Sequence, residues 1–163
     1  MNDARRAVSH SPRSSMPSAP RQKGNRPRPT SPALPRKSRV RVRYAETDKM
    51  GVVYYANYLV WFEVGRTEWL RETGWNYRDA EQEGISLPVI EVCCEYRQAA
   101  RYDDELDITT RASLLSPVRI RFDYEVTRIP DNMLAAVGHT IHAAIDPAGK
   151  PRRLPARVRE MLE

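Results

Sequence analysis

A chain of 163 residues in which 40% are hydrophobic and 29% charged has room for one compact domain and is too short for two ordinary ones. Its net charge of +6 is concentrated at one end: residues 1–38 hold nine of the 27 basic side chains and only one of the 21 acids, Asp3, so the remainder is slightly acidic. The basic balance therefore does not mark the body of the chain as a nucleic-acid binder, and no run approaches the ~18 apolar residues of a membrane span.

Residues 1–38 also contain seven of the thirteen prolines and no Phe, Tyr or Trp. Such a segment cannot bury enough apolar surface to offset the entropy of ordering. It reads as a disordered basic extension ahead of a folded domain at 39–163. Its Arg and Ser content suits a transit peptide and its charge an anionic-surface tether, but the prolines oppose a presequence helix. It lacks the apolar core of a secretory signal, so a cytoplasmic protein is expected.

A short strand is expected over about 40–45, followed by a turn containing Asp48 and Gly51. Tyr58, Trp61, Phe62, Gly65 and Trp69 then recur at the spacing of a helix with one buried face. Asn57 suits the N-cap of that helix and Gly74 its stop. A glycine inside a helix costs roughly 1 kcal/mol against alanine, so Gly65 on the apolar face predicts close passage of another backbone. Leu59 and Val60 widen the apolar surface, which predicts a central, wrapped helix.

After a polar connection at 76–84, Ile90, Val92, Cys94 and Tyr96 alternate with Glu91, Cys93, Glu95 and Arg97, the pattern of a strand with one dry face. Adjacent Cys93 and Cys94 point to opposite faces of it, which argues against a disulfide between them. Further alternation over 105–115, 118–127 and 133–145, separated by turn residues, completes four strands. Their short connections predict an antiparallel meander. The fold class is therefore α+β: a curved antiparallel sheet wrapped around one long central helix.

Asp48, on its residues alone, is an Asx-turn or cap residue. It also stands just ahead of a helix N-terminus, where free backbone N–H groups and the positive end of the helix dipole collect. Glu63 and Arg66 have the i, i+3 spacing of an ion pair. Tyr54 and Tyr58 read as core aromatics with hydroxyls at the surface. No metal is expected, because His10 lies in the extension and His139 and His142 fall on opposite strand faces.

The run T-D-K-M-G-V-V-Y-Y-A-N-Y-L-V-W-F-E at 47–63, with A-R-Y-D-D-E-L at 100–106 and G-K-P-R-R-L-P at 149–155, resembles the hot-dog-fold acyl-CoA thioesterases of the 4-hydroxybenzoyl-CoA thioesterase and YbgC-like group. The resemblance covers roughly residues 39–160. It implies the hot-dog fold and hydrolysis of an acyl-CoA to free acid and CoA, with coenzyme A part of the substrate and no cofactor. It implies Asp48 as nucleophile or general base and the Tyr55 backbone N–H as oxyanion donor, with Gly51, Val52 and Tyr55 against the substrate. YbgC-like members often have histidine where Tyr55 stands; tyrosine matches 4-hydroxybenzoyl-CoA thioesterase and tilts the acyl pocket toward aromatic or bulky apolar groups. Another hot-dog branch uses a helical glutamate, which makes Glu63 the rival carboxylate.

Coenzyme A brings three phosphate groups, so basic residues are expected at the pocket mouth. Candidates are Arg97, Arg101, Arg119, Lys150, Arg152 and Arg153, of which Arg101 and Arg119 are taken as substrate-binding. The family resemblance further implies a homodimer or homotetramer with its site at the subunit interface, and such pairing would cover edge strands. Alternatives are a thioesterase for carrier-protein or polyketide thioesters and a non-catalytic acyl-CoA-binding module.

Overall fold

Strands with one apolar and one polar face bury the apolar face against a helix, and here five of them form a single antiparallel sheet. They are β1 (Arg36–Arg41), β2 (Val89–Tyr96), β3 (Glu105–Ser116), β4 (Arg119–Ile129) and β5 (Met133–Ala143), in the order β1-β3-β4-β5-β2. The helices are α1 (Asn57–Glu72), α2 (Tyr77–Gln82) and α3 (Ala156–Leu162). The computed structural model describes residues 34–162, so the reading of a disordered extension lies, for residues 1–33, outside them. β1 starts earlier than the expected strand at 40–45: Arg36, Lys37 and Ser38 pair with Thr110, Thr109 and Ile108. Alternation extends back through these basic residues, with Ser38 turned inward, and the last part of the basic segment belongs to the sheet.

The inward residues Leu106, Ile108 and Ala112 of β3 and Ile120, Phe122, Tyr124 and Val126 of β4 are buried, as is the α1 stripe of Tyr58, Trp61, Phe62, Gly65 and Trp69. Phe62 stacks on Tyr124 with ring centroids 4.3 Å apart, and Trp69 meets Phe122 edge-on at 5.7 Å. Gly65 does have close neighbours, but they are β3 side chains and not the backbone that its position predicted. A methyl group there would stand 2.8 Å from Ile108 Cγ2 and closer still to Thr110 Oγ1. Gly138 of β5 is the counterpart on the sheet, because a methyl there would overlap Phe62 at 2.6 Å and the Cys93 carbonyl oxygen. α1 ends at Gly74 (φ +77°), with Gly74 N–H on Arg71 O and Trp75 N–H on Leu70 O, the paired bonds of a Schellman stop.

Several expectations need correction. The four strands β2 to β5 are not one meander: β2 pairs with β5 at the sheet edge and not with β3. The connection 97–104 is long enough to pass along the end of the sheet, and no hairpin constrains it. As an edge strand, β2 leaves its expected dry face half uncovered, with Ile90, Val92 and Tyr96 each 49–50% exposed. Leu59 and Val60 of α1 are also exposed, because the sheet covers only the opposite side of the helix. Segment 76–84 contains α2, capped by Asn76, whose side chain accepts the Asp79 N–H while the Asp79 carboxylate accepts the Asn76 N–H. That N-x-x-D capping box is legible in the sequence. Asn57 is the first residue of α1 and not its cap; Ala56 occupies the cap position.

Arg66 does not pair with Glu63. It turns inward and its Nε–H donates to the Tyr77 hydroxyl at 2.6 Å. Nearby, Tyr124 Oη lies 2.7 Å from Thr140 Oγ1, which lies 3.0 Å from His142 Nε2, while His142 Nδ1 lies 2.9 Å from the Leu87 carbonyl oxygen. The carbonyl can only accept, so Nδ1 holds the proton, Nε2 accepts from Thr140, and Thr140 accepts from Tyr124. Burial holds the His142 pKa down at about 4, with the Leu87 carbonyl opposing and Arg66 reinforcing the shift.

Two outcomes follow for stability. Gly65→Ala gains about 1 kcal/mol of helix propensity but overpacks a core contact, a cost of about 1–3 kcal/mol. Gly138→Ala meets a backbone oxygen that cannot rotate away, so urea denaturation should rank it below both Gly65→Ala and Gly74→Ala, the last of which has open space around it and carries only the strain of a left-handed φ. Below its unfolded pKa of about 6.5, His142 takes up a proton in the unfolded chain that the folded chain refuses, so stability should fall with pH between 6.5 and 5 by at most about 1.4 kcal/mol per unit. Denaturation midpoints of His142→Gln should show a shallower slope across that window than the parent protein.

Candidate active site

The chain between β1 and α1 is folded back on itself by main-chain hydrogen bonds. Asp48 N–H donates to Val52 O, Gly51 N–H to Asp48 O, and Tyr54 N–H to Glu46 O, each at 2.9 Å. Gly51 supplies the left-handed turn (φ +72°), a conformation glycine adopts without a Cβ clash. Val53 N–H reaches across to Ala100 O, which fastens this loop to the connection after β2.

Asp48 is half-buried, and its Oδ1 accepts the Met50 N–H at 2.8 Å. The Asx-turn read from the residues is therefore present. Oδ2 takes no hydrogen bond among the described residues, so one carboxylate oxygen is fixed and the other is free to act. The N–H groups of Tyr55 and Ala56 likewise have no acceptor among the described residues, because helices leave their first N–H groups without internal partners. They stand at the positive end of the α1 dipole. Tyr96 donates its hydroxyl proton to the Tyr55 carbonyl oxygen at 3.1 Å, which ties β2 to the chain entering the helix.

A cleft of about 270 Å³ joins these groups, with Asp48, Val52, Tyr55, Tyr58, Tyr96 and Arg97 in its wall. Tyr58 forms the buried floor. Its hydroxyl accepts the Ala100 N–H at 3.3 Å, and burial raises its pKa, so it remains a neutral phenol. A neutral aromatic wall with one carboxylate and free N–H donors suits a small electrophilic group with an apolar substituent.

Of the residues expected at the site, Asp48, Val52 and Tyr55 line this cleft and Gly51 makes the adjoining turn. Arg101 is not in the cleft wall but stands beside that turn, its guanidinium donating to the Gly51 carbonyl oxygen at 3.4 Å and without a carboxylate partner among the described residues. Arg119 is elsewhere: it opens β4 opposite Ala143, at the far end of the sheet, because β3 and β4 run the full length of the domain. Arg97 lines the cleft but is paired with Glu95 at 2.6 Å. Glu63 is exposed on α1 and is not in the cleft wall. Tyr58 is core, as read, but its hydroxyl is buried on the Ala100 N–H and not at the surface; Tyr54 is not core, being 45% exposed against Tyr55.

Glu46 was not singled out from the sequence, yet it is 6% exposed and lies two residues from Asp48. Its Oε2 accepts the Arg43 N–H at 2.7 Å, and its Oε1 accepts from the Arg43 guanidinium at 2.9 Å and from the Trp61 indole N–H at 3.4 Å. Burial pushes this carboxyl up, but the hydrogen bonds and charge of Arg43 more than reverse it, and the group sits below the usual glutamate range. The i, i+3 spacing of Arg43 and Glu46 was the available signal.

The profile of the Thioesterase-like superfamily matches residues 42–162. An acyl-CoA thioester hydrolase YbgC of Escherichia coli is 32% identical over 120 residues, covering 73% of this chain and 89% of that protein. Among solved structures, a DHNA-CoA thioesterase from Staphylococcus aureus superposes with a TM-score of 0.70 at 35% identity, covering 74% of this chain and 80% of that one. A 1,4-dihydroxy-2-naphthoyl-CoA thioesterase from Synechocystis gives a TM-score of 0.74 at 24% identity over 79% of this chain and 96% of that one, a likeness of fold. A helix stripe seated in an antiparallel sheet, a profile match spanning the described domain and relatives above 30% identity converge: the chain is a hot-dog-fold member of the Thioesterase-like superfamily.

Proposed function

We propose that the protein hydrolyses an acyl-CoA thioester to a free acid and CoA, with Asp48 as nucleophile or general base and the Tyr55 backbone N–H as oxyanion donor. The observation that supports this reading best is the sharing of one cleft by a carboxylate oxygen without a partner and an N–H without an acceptor, at the positive end of α1. As a base, Asp48 takes a proton from water as the hydroxide adds to the thioester carbon. The carbonyl oxygen becomes an oxyanion held by Tyr55 N–H, and collapse expels the CoA thiolate, which takes up a proton. As a nucleophile, Asp48 adds to the thioester carbon and the C–S bond breaks to expel the CoA thiolate, which takes up a proton; water then cleaves the resulting acyl anhydride to the free acid and the Asp48 carboxylate. A positioned oxyanion donor contributes about 3–4 kcal/mol in comparable hydrolytic sites. Gly51, Val52 and the Tyr55 ring border the acyl group, and Arg101 beside the Gly51 turn receives a CoA phosphate.

The reading includes a homodimer. β2 presents Val89, Ile90 and Val92 half exposed beside a free strand edge, and Leu59 and Val60 of α1 are exposed as well. A second copy paired along β2 covers that edge and its apolar side chains, and the cleft, which includes Tyr96 of β2, lies beside that seam.

Asp48→Asn should fold normally and lose at least about 100-fold in kcat on acyl-CoA substrates, whereas Glu63→Gln should keep near-normal turnover. A folded Asp48→Asn protein with parental rates would refute the assignment, and a loss confined to Glu63→Gln would move it to the helix. Val92→Lys should place a charge on the β2 face and yield a monomer by sedimentation, with activity lost together with the dimer. A monomeric parent protein would remove the dimer from the reading.

A further inference from the structure

We propose that Glu46 is a positioning residue for this reaction: its buried, ionised side chain and its own carbonyl oxygen together fix the Asp48 carboxylate relative to the Tyr55 N–H. The inference rests on the assignment of Asp48 and Tyr55 given above.

Glu46 is bonded at both of its ends. Its carboxylate takes the Arg43 N–H, the Arg43 guanidinium and the Trp61 indole N–H. Its main-chain carbonyl takes the Tyr54 N–H at 2.9 Å and Asn57 Nδ2 at 2.8 Å. Asn57 and Trp61 are four residues apart on α1 and share a helix face, so one residue grips the first turns of the helix at two points. Tyr54 is the residue before Tyr55, and Asp48 is two residues after Glu46. Both reacting groups are therefore within two residues of a bond made by this side chain or carbonyl, and the loop between them is closed at its base.

Glu46 is not part of the cleft wall and does not touch substrate, so its action runs through Asp48 and Tyr55. All of its side-chain partners are donors, which requires an acceptor at both oxygens. Glutamine would set an NH₂ group against an N–H of Arg43 or Trp61. A role in packing alone is better served by an apolar residue of similar volume, since burying an ionised group carries a desolvation cost that apolar side chains avoid. A negative charge beside the start of α1 is also favourable against the helix dipole.

The test is steady-state kinetics of the full chain with an acyl-CoA, for Glu46→Gln, Asp48→Asn and the double variant, alongside thermal unfolding. Displacing a catalytic group by about 1 Å costs up to about 100-fold, so Glu46→Gln should lose about 10- to 100-fold in kcat with KM within about twofold. The double variant should be no slower than Asp48→Asn alone, because positioning has no effect once the carboxylate is gone. A folded Glu46→Gln protein with kcat within about twofold of the parent, or additive losses in the double variant, would overturn the proposal. If Glu46→Gln does not fold, Trp61→Phe deletes one donor to the same carboxylate and keeps the ring. A kcat loss at constant KM in Trp61→Phe supports positioning, and a lowered melting temperature at parental kcat assigns Glu46 to stability alone. Parental rates in Asp48→Asn would refute the catalytic assignment separately.

Discussion

The contact on which this structure depends is the seating of α1 against the sheet without side chains at two points. Gly65 lets the helix reach Ile108 and Thr110, and Gly138 lets Phe62 sink onto β5 and stack on Tyr124. Helix–sheet packing through larger residues would lift α1 away and rotate its axis. The position of the helix sets the position of its first N–H groups, so two glycines in the core determine where the N–H groups of Tyr55 and Ala56 point. Overpacking at these glycines is thus a change to the cleft as well as to stability.

A second constraint comes from charge. The loop from Glu46 to Tyr54 buries only Val53 of its apolar residues in the core, with Met50 and Tyr54 exposed, and a loop so lightly anchored by packing is ordinarily among the more mobile parts of a domain. Its order comes from the Asx-turn of Asp48, the crossing bond from Val53 to Ala100 and the bonds at Glu46. Because the folded state holds the Glu46 carboxylate below its usual range, the stabilisation from that group is present above its unfolded pKa and is lost as pH falls through the folded value. His142 shifts stability in the same direction from a different cause, the refusal of a proton by a buried imidazole. Both groups favour neutral over acidic pH.

The parts legible in the sequence were those where one local rule decides. Alternation is clearest over β4, where Ile120, Phe122, Tyr124 and Val126 face the core and Arg119, Arg121, Asp123 and Glu125 the other side, while on β3 the outward Thr109 and Ser113 are buried as well. The α1 stripe, the Gly65 approach and the Gly74 stop follow from spacing and backbone freedom, and the Asp48 turn follows from Asx chemistry. What escaped depended on pairing across the chain. The pattern of β2 reads as a covered strand, but no local rule says that it lies beside β5 with its apolar face uncovered. Arg66 has the spacing to meet Glu63, and only the tertiary position of Tyr77 turns it inward. Arg119 is basic and near a turn, yet strand length puts it at the wrong end of the sheet. Glu46 resembled an ordinary loop acid because its burial is created by Trp61, fifteen residues further along the chain.

On the proposed mechanism, the two reacting groups differ in how much side-chain identity matters. Asp48 acts through its carboxylate, so substitution there removes the chemistry itself. Tyr55 contributes its backbone N–H, which any residue except proline supplies, while its ring, 60% exposed at the cleft, is free to shape the acyl pocket. Chemistry and substrate preference at residue 55 are thereby separable within one residue. The same separation accounts for the placement of the binding groups. The apolar wall of Tyr58 and Tyr96 is built on α1 and β2, elements held by the core and the sheet, whereas the cationic residue Arg101 belongs to a connecting loop. An acyl group needs a shaped surface, which rigid elements provide, and a flexible polyphosphate arm needs only charge within reach, which a long side chain on a loop can supply.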